Sequence, residues 1–262
     1  MSDVSSSGKT MPKTVERLPK WSVSAGVITT LLAVFVTQPI AYVLVSMYPA
    51  LAGWDSVRAG NWLTHSPVAN FVMILLFELM AVGVVAAFVR WRHVSFWAAT
   101  ALGRIRWRSV GYAVAGFLIY LCIATVVLAI IPQLFPIDTN QEQAIGFERG
   151  TSGSALLLAF IGLVILPPFA EEILFRGFLF GTLRANKVRL GWAIFWTSLF
   201  FGSLHLLTGA GGLLWIGLAD TFILSLVLCY VREETASLWP CIMIHALKNG
   251  LVFLNLFVIN VR

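Results

Sequence analysis

Residues 167–177 read PPFAEEILFRG, which places Glu171, Glu172 and Arg176 inside a segment that is otherwise apolar. Charged side chains at the centre of a membrane span cost about 2.5–3.5 kcal/mol each, even on lenient insertion scales. Further polar groups recur in other apolar runs. His205 closes LFFGSLHLL, and His245 and Asn249 lie in IMIHALKNGL with Lys248 between them. Glu78 and Asp220 sit in two more such runs. Ionisable residues in spans face a bundle interior or a wet cavity and mark function by default. Two chemistries are open to them. Glu171, His205 and His245 have the donor types of a catalytic zinc site, which needs three protein ligands and a water, although HExxH is absent. Without a metal, a carboxylate in this setting would act as an acid or base.

Spacing separates the two acids. Glu172 and Arg176 are related i,i+4 with the acid first, the favourable order for an intrahelical ion pair. Glu171 points about 100° away and lacks that partner. Pro167 and Pro168 interrupt the helical ladder just upstream. A helix restarting there would hold both acids in its first turn, where free amides and the dipole favour negative charge. His245 and Asn249 share one helix face, as do Phe201 and His205.

The elements that must position these groups follow from composition. The 262 residues are 59% hydrophobic and 11% charged, with mean hydropathy +0.87; soluble domains carry about 25% charged residues. This is an all-α, polytopic transmembrane helical bundle. A span needs about 20 apolar residues, which gives seven segments within a range of six to eight: 22–47, 67–89, 109–132, 154–182, 190–207, 212–231 and 238–260. The chain divides into a polar tail (1–20), N-terminal transmembrane helices (21–150) and a C-terminal helical core (151–262). The first apolar run is too long and starts too late for a cleavable signal.

Basic residues cluster in alternate loops: Lys9, Lys13, Arg17 and Lys20 before the first span, Arg90 to Arg108 in the second loop, and Arg184, Lys187 and Arg189 in the fourth. The positive-inside bias puts the N-terminus in the cytoplasm. The net charge of +6 therefore serves orientation and contact with anionic lipid. No nucleic-acid motif accompanies it. Trp21, Trp54, Trp62, Trp91 and Trp107 fall near span ends, as in an interfacial belt. Cys122, Cys229 and Cys241 have no pairing pattern and read as small buried apolar residues. The acids Glu78 and Asp220 read as buried hydrogen-bonded or protonated groups. Glu171 and His205 lie sixteen and eighteen residues from the turn near Lys187, so an antiparallel hairpin brings them to a similar depth.

Glu171-Glu172-x-x-x-Arg176, Phe201-x-x-x-His205 and His245-x-x-x-Asn249, in that order on three apolar segments, resemble the signature motifs of the CAAX protease and bacteriocin-processing (CPBP, or Abi) family. That family includes the Ras-converting CAAX endopeptidases. The resemblance covers about the last 110 residues, and it implies an intramembrane glutamate-type endopeptidase. It casts Glu171 as the general base toward a water that His205 holds. His245 and Asn249 become oxyanion donors, and Glu172, Arg176 and Phe201 support the site. It implies no cofactor and does not favour zinc. The expected partners are a peptide or membrane-protein substrate, prenylated in a CAAX-type case, and the lipid bilayer; no nucleic acid is expected. A bacterial inner membrane is the favoured location, or the endoplasmic reticulum in a eukaryote, with a cavity facing the cytoplasm. The rival readings are a zinc membrane protease built on the same residues, a non-catalytic scaffold or immunity protein, and a proton-coupled transporter using Glu78 and Asp220.

Overall fold

The computed structural model describes residues 21–138 and 141–259; the polar tail expected over 1–20 lies outside them. Nine helices follow in order among the described residues: α1 (Val23–Leu51), α2 (Ser56–His65), α3 (Pro67–Trp91), α4 (Phe96–Thr100), α5 (Trp107–Leu134), α6 (Gly153–Ala185), α7 (Leu190–Leu206), α8 (Trp215–Thr235) and α9 (Trp239–Ile259). Six of them are long and apolar enough to cross a membrane, and α7 is a shorter apolar helix. Together these seven match the segments expected from hydropathy. The two remaining helices, α2 and α4, lie in loops that hydropathy left undivided. Helix α2 starts at Asp55, whose side chain accepts from the Arg58 N–H, and α3 starts at Ser66 with Pro67 in its first turn, both ordinary ways to satisfy the free amides of a helix start.

Helix α6 departs from expectation. It does not stop at the proline pair: it runs 33 residues from Gly153 to Ala185. The interruption is absorbed by a wide π turn at Ile161–Ile165, and a second follows at Ile173–Leu179. Glu171 and Glu172 therefore lie at the end of the α-helical piece Leu166–Glu172, with no acid in its first turn. The expected dipole support for them is absent. Such π turns inside helices are frequent at functional sites.

Close helix contacts hold α6 in the bundle. A methyl group on Gly177 would come within 3.0 Å of the Thr100 carbonyl oxygen, so α4 rests directly on α6 there. Gly202 on α7 likewise faces the Leu218 carbonyl of α8. Trp21 is buried rather than interfacial: it stacks on Phe178 and donates to Thr182 Oγ1 at 2.8 Å. Trp91 and Trp107 are exposed as an interfacial belt requires. Cys122 also corrects its expectation, since it lies exposed on the outside of α5, whereas Cys229 and Cys241 are buried.

The loops meet at two ends. At one, the Leu238 N–H donates to the Ala101 carbonyl and Trp239 Nε1 to the Gly103 carbonyl. At the other, the segment between α5 and α6 pairs with the segment between α7 and α8 through Ala144 N–H to Thr208 O (2.8 Å) and Ala210 N–H to Glu142 O (2.9 Å). Irregular backbone next to a span is tolerable where protein covers it and its polar groups are paired. Phe147 from this segment is buried against α6 and α9.

Candidate active site

The second π turn brings Arg176 back beneath Glu172. Arg176 Nη1 donates to Glu172 Oε1 at 2.9 Å, and both side chains are fully buried. The i,i+4 spacing anticipates this pair. The next link is not visible in the sequence: His245 Nδ1 lies 2.9 Å from the same Glu172 oxygen, across 73 residues of chain. A carboxylate only accepts, so Nδ1 carries the hydrogen and Nε2 is turned the other way. There, Nε2 lies 3.8 Å from Glu171 Oε2. That is too long for a hydrogen bond and short enough for both atoms to engage one small group between them.

Glu171 is the more accessible acid, its side chain 22% exposed against none for Glu172. Its Oε2 is buried and has no hydrogen-bond partner among the described residues. Burying an unpaired carboxylate oxygen is costly, so this atom is an acceptor in need of a donor at the head of the Arg176–Glu172–His245 chain.

Phe201 organises the opposite wall. Its ring is fully buried, with the Arg176 guanidinium 4.3 Å from its centroid, the His205 ring at 4.8 Å and the His245 ring edge-on at 5.8 Å. The cation over the ring face is a favourable arrangement. His205 Nδ1 lies 3.0 Å from the Phe201 carbonyl. A carbonyl only accepts, so neutral His205 keeps its hydrogen on Nδ1 and an acceptor lone pair on Nε2. His205 lies within electrostatic reach of Glu171, His245 and Lys248.

Asn249 is placed differently from the other motif residues. Its Nδ2 donates to the Leu163 carbonyl of α6 at 2.9 Å. The reason is local covalent chemistry. The α-helical donor to Leu163 O would be residue 167 and the π-helical donor residue 168, and both are proline. The carbonyl is orphaned in either register, and Asn249 fills it with one of its two amide hydrogens. The structure thus gathers Glu171, Glu172, Arg176, Phe201, His205 and His245 into one cluster. Asn249 stands one turn beyond His245, tied to α6.

Two groups that the motifs do not contain also belong to this region. Glu78 of α3 is buried and lies within electrostatic reach of Glu171. Asp220 of α8 accepts from Tyr120 Oη at 2.5 Å and pairs with Lys248 at 3.2 Å. Their presence in apolar runs is the only sequence signal, and it names no partner. No group of three or more His, Cys, Asp or Glu side chains among the described residues is arranged to hold a metal ion.

Residues 153–251 match the family model described as type II CAAX prenyl endopeptidase Rce1-like. The match runs from the first residue of α6 into α9 and contains all seven motif residues. No curated protein and no solved structure matches the chain. The family is one of membrane proteases, and the segment that builds this site, residues 153–251, is similar to its type II CAAX prenyl endopeptidase Rce1-like members.

Proposed function

We propose that the protein is an intramembrane endopeptidase in which Glu171 activates water for attack on a peptide bond near the C-terminus of a membrane-associated substrate. The observation that carries the proposal is the unpaired, buried Glu171 oxygen 3.8 Å from an imidazole that Glu172 and Arg176 hold in place.

In this reading a water donates one hydrogen bond to Glu171 and the other to Nε2 of His205, whose tautomer the Phe201 carbonyl fixes. The water oxygen forms a bond to the substrate carbonyl carbon as its proton passes to the Glu171 carboxylate. The carbonyl oxygen gains negative charge. It receives hydrogen bonds from His245, which Glu172 holds in place, and from the second amide hydrogen of Asn249. When the carbon–nitrogen bond breaks, Glu171 returns its proton to the departing amine, so base and catalyst are regenerated. Base catalysis of this kind contributes about 10²–10⁴-fold, and a well-placed oxyanion donor about 10²–10³-fold. The proposal calls on side chains of the protein and one water, and on no cofactor.

The substrate would carry a prenyl group near its C-terminus, as the name of the matching family suggests. The N-terminus would be cytoplasmic, on the same side as the basic segment 186–189, since Asn186 donates to the Trp21 carbonyl and basic segments favour that side; a bacterial inner membrane is the location we favour.

The test is purified protein in proteoliposomes with a farnesylated peptide whose cysteine is fourth from the C-terminus. Native protein should release the terminal tripeptide, and Glu171→Gln should slow this by at least about 10²-fold while unfolding at the native temperature. A strong chelator should leave the native rate unchanged. Loss of cleavage in chelator would favour a zinc protease, and absence of cleavage by native protein would favour a non-catalytic role.

A further inference from the structure

Asp220, Tyr120 and Lys248 come from three different spans, α8, α5 and α9, and meet inside the bundle. Asp220 uses both oxygens: Oδ1 accepts from the Tyr120 hydroxyl and Oδ2 faces Lys248 Nζ. Ion pairs of this kind in an apolar interior are seldom worth more than well-packed apolar side chains. Structural support is therefore a weak reason for three spans to contribute polar groups here.

The arrangement anchors a cation without using it up. An ammonium has three N–H donors, and Asp220 is the only ion-pair partner of Lys248 among the described residues. The side chain is 15% exposed, so the group is reachable. It is also at the site, since it acts electrostatically on His205 and follows His245 by three residues on the same helix. Arg176, by contrast, is sealed against Glu172 and Phe201 with no exposure and cannot meet a ligand.

Building on the endopeptidase reading above, we infer that Lys248 receives the free C-terminal carboxylate of the substrate, with Asp220 and Tyr120 as the positioning residues that hold the ammonium in place. The dimensions agree. Three residues along a helix rise about 4.5 Å, and the four-carbon stem of lysine extends that reach. An extended tripeptide spans about 10 Å, so a chain whose scissile carbonyl lies at His245 can bring its third following residue to Lys248. A carboxylate entering apolar surroundings beside Glu171 needs a cation to offset both desolvation and repulsion. This makes the enzyme a reader of chain ends: a substrate extended or capped at its C-terminus would lose the contact.

The test uses two farnesylated peptides identical except that one ends in a carboxylate and the other in a carboxamide. The readout is the ratio of their kcat/KM values in proteoliposomes. Native protein should favour the acid by about ten- to a hundredfold, the range for a hydrogen bond to a charged group. Lys248→Met combined with Asp220→Asn leaves no unpaired charge behind and should bring the ratio close to one. Lys248→Arg should preserve the preference, and Asp220→Asn alone should reduce it, because the ammonium loses the charge that holds it in place. A merely structural triad would leave the ratio at its native value in every variant. Equal cleavage of both peptides by native protein, or an unchanged ratio in the double variant, overturns the assignment while leaving the endopeptidase reading intact. Cleavage of neither peptide by native protein overturns that reading and this one with it.

Discussion

Glu172→Gln separates the role of the buried acid from that of its neighbour. Glutamine matches glutamate in shape, so the substitution opens no cavity. It removes the charge that accepts from both Arg176 Nη1 and His245 Nδ1, each at 2.9 Å, among side chains no more than 3% exposed. Removing one partner of a buried ion pair costs about 3–5 kcal/mol, because the other charge is left uncompensated. Set against total stabilities of about 5–15 kcal/mol, that is a large fraction. At about 2–4 °C per kcal/mol for chains near this size, the thermal unfolding midpoint in proteoliposomes should fall by about 6–20 °C. Glu171→Gln should change it little, since that side chain is partly exposed and its Oε2 already lacks a partner. Both variants should lose cleavage, one through a weakened scaffold and a misdirected His245, the other through loss of the base. Equal midpoints for the two variants, or a native midpoint for Glu172→Gln, would refute the division of labour between the two acids.

Two further outcomes follow from contacts around the site. Asn249→Ala leaves the Leu163 carbonyl orphaned and should destabilise the protein by about 1–3 kcal/mol; in a Pro167→Ala background, where a backbone N–H is restored opposite that carbonyl, the same change should cost measurably less in a thermal double-mutant cycle. Phe201→Leu removes the ring beneath Arg176 and should lower stability by about 2 kcal/mol or more, from lost packing and the lost cation–ring contact, again read by thermal unfolding.

Much of the fold is legible in the sequence because a bilayer imposes a simple length rule on apolar runs, and the seven segments follow it closely. The motif spacing gives the Glu172–Arg176 pair outright, since i,i+4 contacts are local. Relations between distant segments, and one backbone detail, are not legible. The bond from His245 to Glu172 crosses 73 residues. The union of Tyr120, Asp220 and Lys248 joins three spans, and the sequence offers each polar residue without its partner. The double proline predicts a break in the helix. The chain instead widens one turn and lends Asn249 to the orphaned carbonyl, a solution that needs a helix more than 80 residues away. Trp21 differs from expectation for a related reason: its position near a span end suggests lipid, but Phe178 and Thr182 bury it.

The central claim is that Glu171 performs hydrolysis inside the bilayer, and the most direct measurement works whatever the substrate proves to be. Terminal peptides are compared by quantitative mass spectrometry between cells carrying native protein and cells carrying Glu171→Gln at equal abundance. The account predicts at least one membrane-associated polypeptide that ends at a shortened C-terminus in the native cells and retains its full C-terminus in the variant cells. Identical terminal peptides in the two sets of cells would contradict it.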